Sequence, residues 1–397
     1  MGSGIARRAR AMGVVAAAVT LGVASVAFAA TPYQYTSVAD SAGPLGTLFG
    51  EHALSNSGSD AFVNLRDDGQ YGLYRWNGSS NQLVAETGPA VPGWGSVITS
   101  VGINSADQVS FFSQRVASAS AVYGGIYRAN ANNSFTNIHE VSASQNTNGY
   151  AIGSDINASG TVAYQRRVTG TSKGIYTSNG SGAEQTIFVG AHTDTLGWWS
   201  INSSGHVAIA GTIGGAKGVW LGTGNGSIAP VATGGSFTDF RSPVLDDDGF
   251  VTFGGTLSDG TTGVWRGNGS GAATALVDST GGTFTGNFVR TSANNDGDIA
   301  FMATPTGGGT AGLYFLAEGA NPADAQRVVG IGDALFGSTI SSFILAPRGL
   351  NDTDSIAFSY NLSNGTRGLA VASVPEPTSC LGASLLAVAA LTRRRRA

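Results

Sequence analysis

One motif recurs seven times along the chain, and that recurrence limits the fold more than any other feature. Its best copies read Ile156-Asn-Ala-Ser-Gly-Thr-Val-Ala-Tyr164, Ile201-Asn-Ser-Ser-Gly-His-Val-Ala-Ile209, Leu245-Asp-Asp-Asp-Gly-Phe-Val-Thr-Phe253 and Ala293-Asn-Asn-Asp-Gly-Asp-Ile-Ala-Phe301. Weaker copies run from Leu54 to Phe62, Ile103 to Phe111 and Leu350 to Phe358. Their turn positions are Gly58, Asp107, Gly160, Gly205, Gly249, Gly297 and Asp354, spaced 44 to 57 residues apart. A period near 50 matches the blade of a β-propeller and exceeds most solenoid units.

Each unit has the same internal order. An Asx-rich turn leads into a strand with large apolar residues at alternate positions, as in Val207 and Ile209, Val251 and Phe253, Ile299 and Phe301. Small residues sit between them: Ala208, Thr252 and Ala300. A period of two marks a strand, and large residues on one face with small ones on the other suit closely stacked sheets. A second strand begins at Gly72-Leu-Tyr74, Gly125-Ile-Tyr127, Gly174-Ile-Tyr176, Gly218-Val-Trp220, Gly263-Val-Trp265 and Gly312-Leu-Tyr314. A third apolar patch follows at Leu83-Val84, Ile187 to Val189, Leu276-Val277 and Val328-Val329. A fourth leads into the next turn at Val97-Ile98, Trp198-Trp199, Phe288-Val289 and Phe343-Ile344.

The reading is all-β: a propeller of about seven four-stranded blades over residues 31–373. The last copy has only its first two strands, and Tyr33 to Ala53 looks like strands three and four without their predecessors. Two plus two makes a seventh blade shared between the termini, which removes an edge that would otherwise template aggregation. The alternatives are an open or six-bladed array, or two stacked sandwiches. The first copy departs from the pattern, with Asp60 where Val or Ile is expected.

The two ends are of another kind. Arg7, Arg8 and Arg10 precede an apolar run from Met12 to Phe28, and Ala27-Phe28-Ala29 supplies a small-x-small cleavage pattern. Residues 1–30 therefore read as a secretory signal peptide, cut after Ala29 or Ala30. At the other end, Val374-Pro375-Glu376-Pro377 is followed by an apolar stretch from Cys380 to Leu391 and then by Arg393, Arg394, Arg395 and Arg396. Two prolines one residue apart hold an extended segment that a processing enzyme can grip. The four Arg hold the tail on the cytoplasmic side of a short C-terminal membrane helix.

This tail resembles the PEP-CTERM sorting signal over the last 24 residues, 374–397. The resemblance implies recognition by an exosortase, a membrane cysteine transpeptidase, then release to the surface or into extracellular polymer. Carried over by position, Pro375, Glu376 and Pro377 are the recognition motif and the four terminal Arg the retention end. The repeats resemble, over most of residues 54–370, the tandem-repeat surface proteins with Asn-x-x-Gly-x-Val-Ala-Phe units, a likeness that brings a fold and a location but no activity.

Composition narrows the partners. Of the 21 basic residues, seven lie in the terminal signals, and of the 25 acidic ones only Glu376 does. The 14 basic and 24 acidic residues left between 31 and 374 give a formal charge of −10, which argues against nucleic acid or anionic lipid. Cys380 is the lone cysteine, so no internal disulfide can form. Three turns, Asp246-Asp247-Asp248, Asn294 to Asp298 and Asn351 to Asp354, have the look of calcium loops, but none has the full spacing with a later bidentate acid. Asx side chains bonding their own turn amides explain all seven copies. His52, His139, His192 and His206 show no metal-ligand spacing, and no nucleophile elbow occurs.

No catalytic motif, metal or cofactor is therefore expected. Within the Trp198-Trp199 pair, one ring is expected to face the core and the other outward. The expected function is an exported binding or structural module. Its partners would be the secretion machinery, an exosortase-type enzyme and extracellular polysaccharide. Rival readings are a polysaccharide-acting enzyme with carboxylates converging on the propeller axis and a calcium-stabilised adhesin.

Overall fold

The computed structural model describes residues 33–373, apart from 44, 46–47, 89–92, 119–120, 143–151, 170–171 and 192. The signal peptide with Ala27, Ala29 and Ala30, and the sorting tail from Val374 to Arg396, lie outside the described residues. No helix among the described residues is long and apolar enough to cross a membrane.

The recurring turn is the unit from which everything else is built. All seven turn residues adopt left-handed backbone, with φ from +57° at Asp107 to +89° at Gly297. Glycine meets no steric penalty there, and aspartate is among the few side chains that tolerate it. The N–H of each turn residue donates to the carbonyl three positions back, as from Gly160 to Asn157 at 3.0 Å and Gly205 to Asn202 at 3.0 Å. The strands on either side of the turn then pair as a hairpin.

Seven antiparallel sheets result among the described residues. Blade 1 is Leu48–Leu54, Asp60–Leu65, Tyr71–Trp76 and Asn81–Glu86. Blades 2 to 6 span 93–142, 152–191, 195–233, 237–278 and 284–330 in the same order. The strand that leads into each turn pairs with the strand after it, so a blade begins one strand earlier than the repeat suggests. This shifts the expected closure. Blade 7 takes three strands from the C-terminal side, Ser338–Leu350, Ile356–Leu362 and Arg367–Ser373, and one from the N-terminal side, Gln34–Asp40. Three plus one replaces two plus two; the second strand of the 33–53 segment opens blade 1 instead. Phe288-Val289, expected in a strand, falls in a gap between Phe284–Gly286 and Thr291–Ala293, both of which pair with Ile299–Pro305.

The first strands of successive blades touch one another around a ring, and Ser338–Leu350 touches Leu48–Leu54, so the ring closes. Six continuous blades and a seventh shared between the termini are what the repeat predicts. The open, six-bladed and sandwich alternatives are set aside by this topology.

The core lies between blades. Seven apolar clusters form, one at each interface between neighbours. Val162 and Tyr164 of blade 3 face Phe112, Ile126 and Ile138 of blade 2, while Ala163 on the opposite face receives Leu196, Ile201 and Ile209 of blade 4. The large-small alternation thus sets which neighbour each face receives, and each fully buried Val, Ile or Phe adds roughly 1.5–3 kcal/mol.

Candidate functional site

The axis has two ends of different character. At one end the seven turns form a polar ring. The first side chain of each turn caps its own hairpin: Asn157 Oδ1 accepts from the backbone N–H of Ser159 (3.1 Å) and Thr161 (3.0 Å), and Asn351 Oδ1 from Thr353 (3.1 Å) and Ser355 (2.9 Å). The amide Nδ2 then donates to the next turn. Asn104 reaches the carbonyl of Asn157 (2.9 Å), Asn157 that of Asn202 (2.9 Å), Asn202 that of Asp246 (3.1 Å) and Asn294 that of Asn351 (3.3 Å). Asn351 reaches Ser55 (3.0 Å) and carries the ring across the closing joint. Ser55 and Asp246 have no amide to offer; at Asp246 the guanidinium of Arg266 binds Oδ2 at 2.6 Å instead.

The carboxylates that resemble calcium loops are spent on this ring. Asp247 Oδ1 accepts from Ser203 N–H (2.8 Å), Asp352 Oδ1 from Asn295 N–H (3.0 Å) and Asp246 Oδ1 from Phe250 N–H (2.7 Å). Among the described residues no group of three His, Cys, Asp or Glu side chains is placed to hold a metal. Asp354 is the one whose carboxyl is pushed up to about 6, by burial first and then by Asp298, Asp296 and Asp352.

The other end is a cavity of about 300 Å³. It is built by a shared irregularity. The first strand of every blade loses its register at or beside the same height, between Phe49 and His52, Thr99 and Gly102, Ile152 and Ser154, Leu196 and Trp198, Arg241 and Val244, and Leu345 and Leu350, and by the gap after Gly286 in blade 6. Ser100, Gly153 and Ser242 take left-handed backbone there. Bulges bend a strand and re-aim its side chains, which is why they gather beside binding sites. Here they open the channel. Glu51, Ser100, Gly153, Trp198 and Pro347 line its rim, and His52, Val101, Ser154, Trp199 and Arg348 the level below.

Arg348 is the floor. Its guanidinium donates to the carbonyls of Ile156 (3.1 Å) and Ile201 (3.0 Å) and pairs with the carboxylate of Asp155. It lines both this cavity and the smaller space inside the turn ring. Asp155 is buried and also accepts from the N–H groups of Ile156 (3.0 Å) and Ile201 (3.0 Å); burial nevertheless pushes its carboxyl up. Trp198 is 43% exposed. Trp199 is partly buried against the cluster between blades 3 and 4, with its indole N–H on the carbonyl of Ala163 (3.3 Å). The two rings therefore divide as expected, and both border the cavity.

His52 is not an idle strand histidine. Its Nδ1 lies 3.2 Å from Asp60 Oδ2, and the two side chains are 4% and 0% exposed. Nε2 has no hydrogen-bond partner. The other six blades hold Val109, Val162, Val207, Val251, Ile299 and Ile356 at the place of Asp60, all buried. Asp60 thus marks the site and is no blemish in a weak repeat. The ion pairs Arg66–Asp68 and Arg66–Glu86 lie at largely exposed strand ends. Arg166, by contrast, is held between Glu184 and the Tyr176 ring.

Comparison with known families settles the relationship. A model described as a family of unknown function, DUF7453, matches residues 33–381. The chain belongs to the DUF7453 family. The DUF7453 match takes in the whole propeller and ends inside the apolar tail. No curated protein matches. Among solved structures, this DUF7453 chain is similar to YCF48 bound to D1 peptide, at 10% identity and a TM-score of 0.48, over 87% of this chain and 96% of that one. It is similar to a puromycin hydrolase S511A mutant complexed with PGG, at 12% and 0.49, over 80% of this chain and 51% of that one. A third is the BP39L lectin from Burkholderia pseudomallei, at 11% and 0.45, over 81% and 98%.

Proposed function

We propose that this protein is an exported binding module. The secretion machinery carries it out, an exosortase-type enzyme sorts its tail to the cell surface or extracellular matrix, and its propeller holds a sugar unit of extracellular polysaccharide in the bulged axial cavity. The observation that carries the binding reading is Trp198. A large indole, 43% exposed, lines a preformed cavity together with Trp199 and polar groups of other blades. An aromatic platform with a few convergent polar groups is what a sugar ring needs.

Binding fits better than hydrolysis. Cleavage by two carboxyl groups requires both to face the substrate. Asp155 is held by Arg348 and two backbone N–H groups. Glu51 accepts from the N–H of Ser100 at 2.7 Å. Asp155 is thereby committed, and Glu51 alone does not make the pair.

The test is calorimetric titration of the full chain with neutral and acidic oligosaccharides, beside Trp198→Ala. The expected result is at least one saturable ligand and a loss of about tenfold in the variant. No binding across the panel, or equal binding by the variant, overturns it. Sorting is tested by comparing the intact chain with one truncated before Val374; equal surface delivery of both removes the exosortase step.

A further inference from the structure

One polar atom of the cavity wall, His52 Nε2, lacks a hydrogen-bond partner, and Arg290, packed on the Trp198 ring that lines the cavity, lacks an ion pair; both suit an anion. We propose, resting on the sugar-binding reading, that the bound sugar carries a carboxylate, seated between Arg290 and His52 Nε2.

Arg290 lies in the gap of blade 6, with its guanidinium carbon 5.3 Å from the centre of the Trp198 ring. It takes part in none of the ion pairs among the described residues. The buried guanidinium of Arg75 is held by the carbonyls of Asp107 and Ala131 and the side chains of Gln82 and Asn133, and the half-buried Arg266 pairs with Asp246 and Glu318. Arg290 is desolvated enough for burial to pull its pKa down, against a weaker pull up from Glu51. A half-buried cation with no ion pair of its own and only the field of Glu51 nearby gains more from a ligand carboxylate than it would in water.

His52 is the second, independent feature. Its side chain is 4% exposed and lines the cavity, and Nε2 is unsatisfied. The proton count of the pair follows from its partner. Asp60 is fully buried, burial pushes its carboxyl up, and His52 is the group that pulls it down. A net charge there is expensive, so the pair is held neutral. It is either an imidazolium against a carboxylate or an imidazole accepting from a protonated acid. In both forms Nε2 carries a hydrogen, and a donor at the wall of the cavity asks for an acceptor.

The arrangement is lopsided in a useful way. Arg290, Arg348 and His52 stand on three successive blades, 6, 7 and 1, and Trp198 and Trp199 on blade 4. Arg348 has given its charge to Asp155, and the exposed Glu51 accepts one N–H, from Ser100. Arg290 and His52 Nε2 are then left without an acceptor, beside the neutral donors of Gln165 and the Trp198 indole. A uronic-acid unit, with a ring to stack and a carboxylate to pair, satisfies both at once.

The experiment uses the full chain and three oligouronates, those of galacturonic, mannuronic and glucuronic acid, each beside its methyl ester. The ester keeps ring, linkage and hydroxyls and removes only the charge. At least one acid form is expected to bind about tenfold tighter than its ester. Arg290→Gln abolishes that preference, and His52→Gln weakens it. Equal binding of acid and ester in all three pairs overturns the proposal, even where the sugars bind, and leaves the sugar-binding reading standing. Failure of every sugar, neutral ones included, overturns both.

Discussion

Single residues in this chain are read against their six counterparts. Asp354 shows how. It occupies a left-handed turn position, φ +59°, that five other turns fill with Gly. Its carboxyl is raised to about 6, by burial and then by Asp298, Asp296 and Asp352. An acid whose folded pKa exceeds its unfolded value of about 3.9 stabilises the fold only while protonated. That stability is full below about 3.9 and is lost as pH rises through about 6. Asp354→Asn keeps a side chain that tolerates the backbone and an oxygen that can accept from Asn294 Nδ2. The variant should melt about 2 °C above the parent at pH 7.5 and level with it near pH 4. Melting curves across that range check it; a shift of equal size at both ends would refute the charge argument. Asp60 is legible in the same way, since the repeat flags it as an exception. Its partner is not, because His52 lies before the turn, where the first strands bulge and sequence spacing no longer gives facing. Aligning the chain on its turn residues supplies the missing signal. Seven places before them stand Glu51, Ser100, Gly153, Trp198, Ser242, Arg290 and Pro347, with no common chemistry, whereas two places after them stand Val or Ile in six of seven. Variation inside a repeat that otherwise holds its pattern thus falls on the cavity lining at five of these places, Glu51, Ser100, Gly153, Trp198 and Pro347.

At the level of the element, the Asx hairpin is both turn and brace. Asn157 Oδ1 holds two backbone N–H groups and the Ser159 hydroxyl (2.8 Å), while Nδ2 holds the carbonyl of Asn202 in the next blade. Asn157→Ala strips all of these from a buried position, at about 1 kcal/mol for each backbone group left unpaired, so about 2–3 kcal/mol in total. Chemical denaturation checks it; a loss under about 0.5 kcal/mol, as at an ordinary exposed site, would show the ring to be ornamental. The turns were legible because left-handed backbone admits few residue types, and the strands because stacked sheets impose a period of two. The phase of the blade was not. A repeat has no beginning in sequence, and the strand before a turn is as near to it as the strand after. Only pairing decides which blade owns it, so the 33–53 segment, a matched pair of strands to the eye, is divided between blades 7 and 1. The depth of the cavity is hidden in the sequence for a related reason. It is made by loss of register, and a bulge leaves no periodic trace.

The whole molecule depends on that division. Ring closure rests on one N-terminal strand, Gln34–Asp40, laid along Arg367–Ser373 over six residue pairs. Val38 and Ala39 are buried in the cluster between blades 7 and 1, the Tyr35 hydroxyl donates to the carbonyl of Val328 in blade 6, and Asn81 Nδ2 of blade 1 reaches the carbonyl of Val38 at 2.7 Å. One strand thus ties three blades. Its ladder and side chains are worth roughly 5 kcal/mol, from about 0.5–1.5 for each hydrogen bond and 1.5–3 for each large apolar side chain. Deleting residues 33–43 should lower the melting temperature by about 10 °C. It should also drive self-association, because Arg367–Ser373, with Leu369, Ala370 and Ala372 fully buried, becomes an open apolar edge. Deletion alone cannot separate lost closure from lost contacts, so the decisive variant moves the strand. Residues 33–43, transplanted behind Ser373 through a short Gly-Ser hairpin loop, make blade 7 continuous. If pairing is what closes the ring, this permutant regains the parental melting temperature within a few degrees and runs as a monomer in sedimentation. If it melts and aggregates like the deletion, the strand must act through its attachment to blade 1, and closure by strand exchange between the termini is the wrong account of how seven weakly connected sheets become one structure.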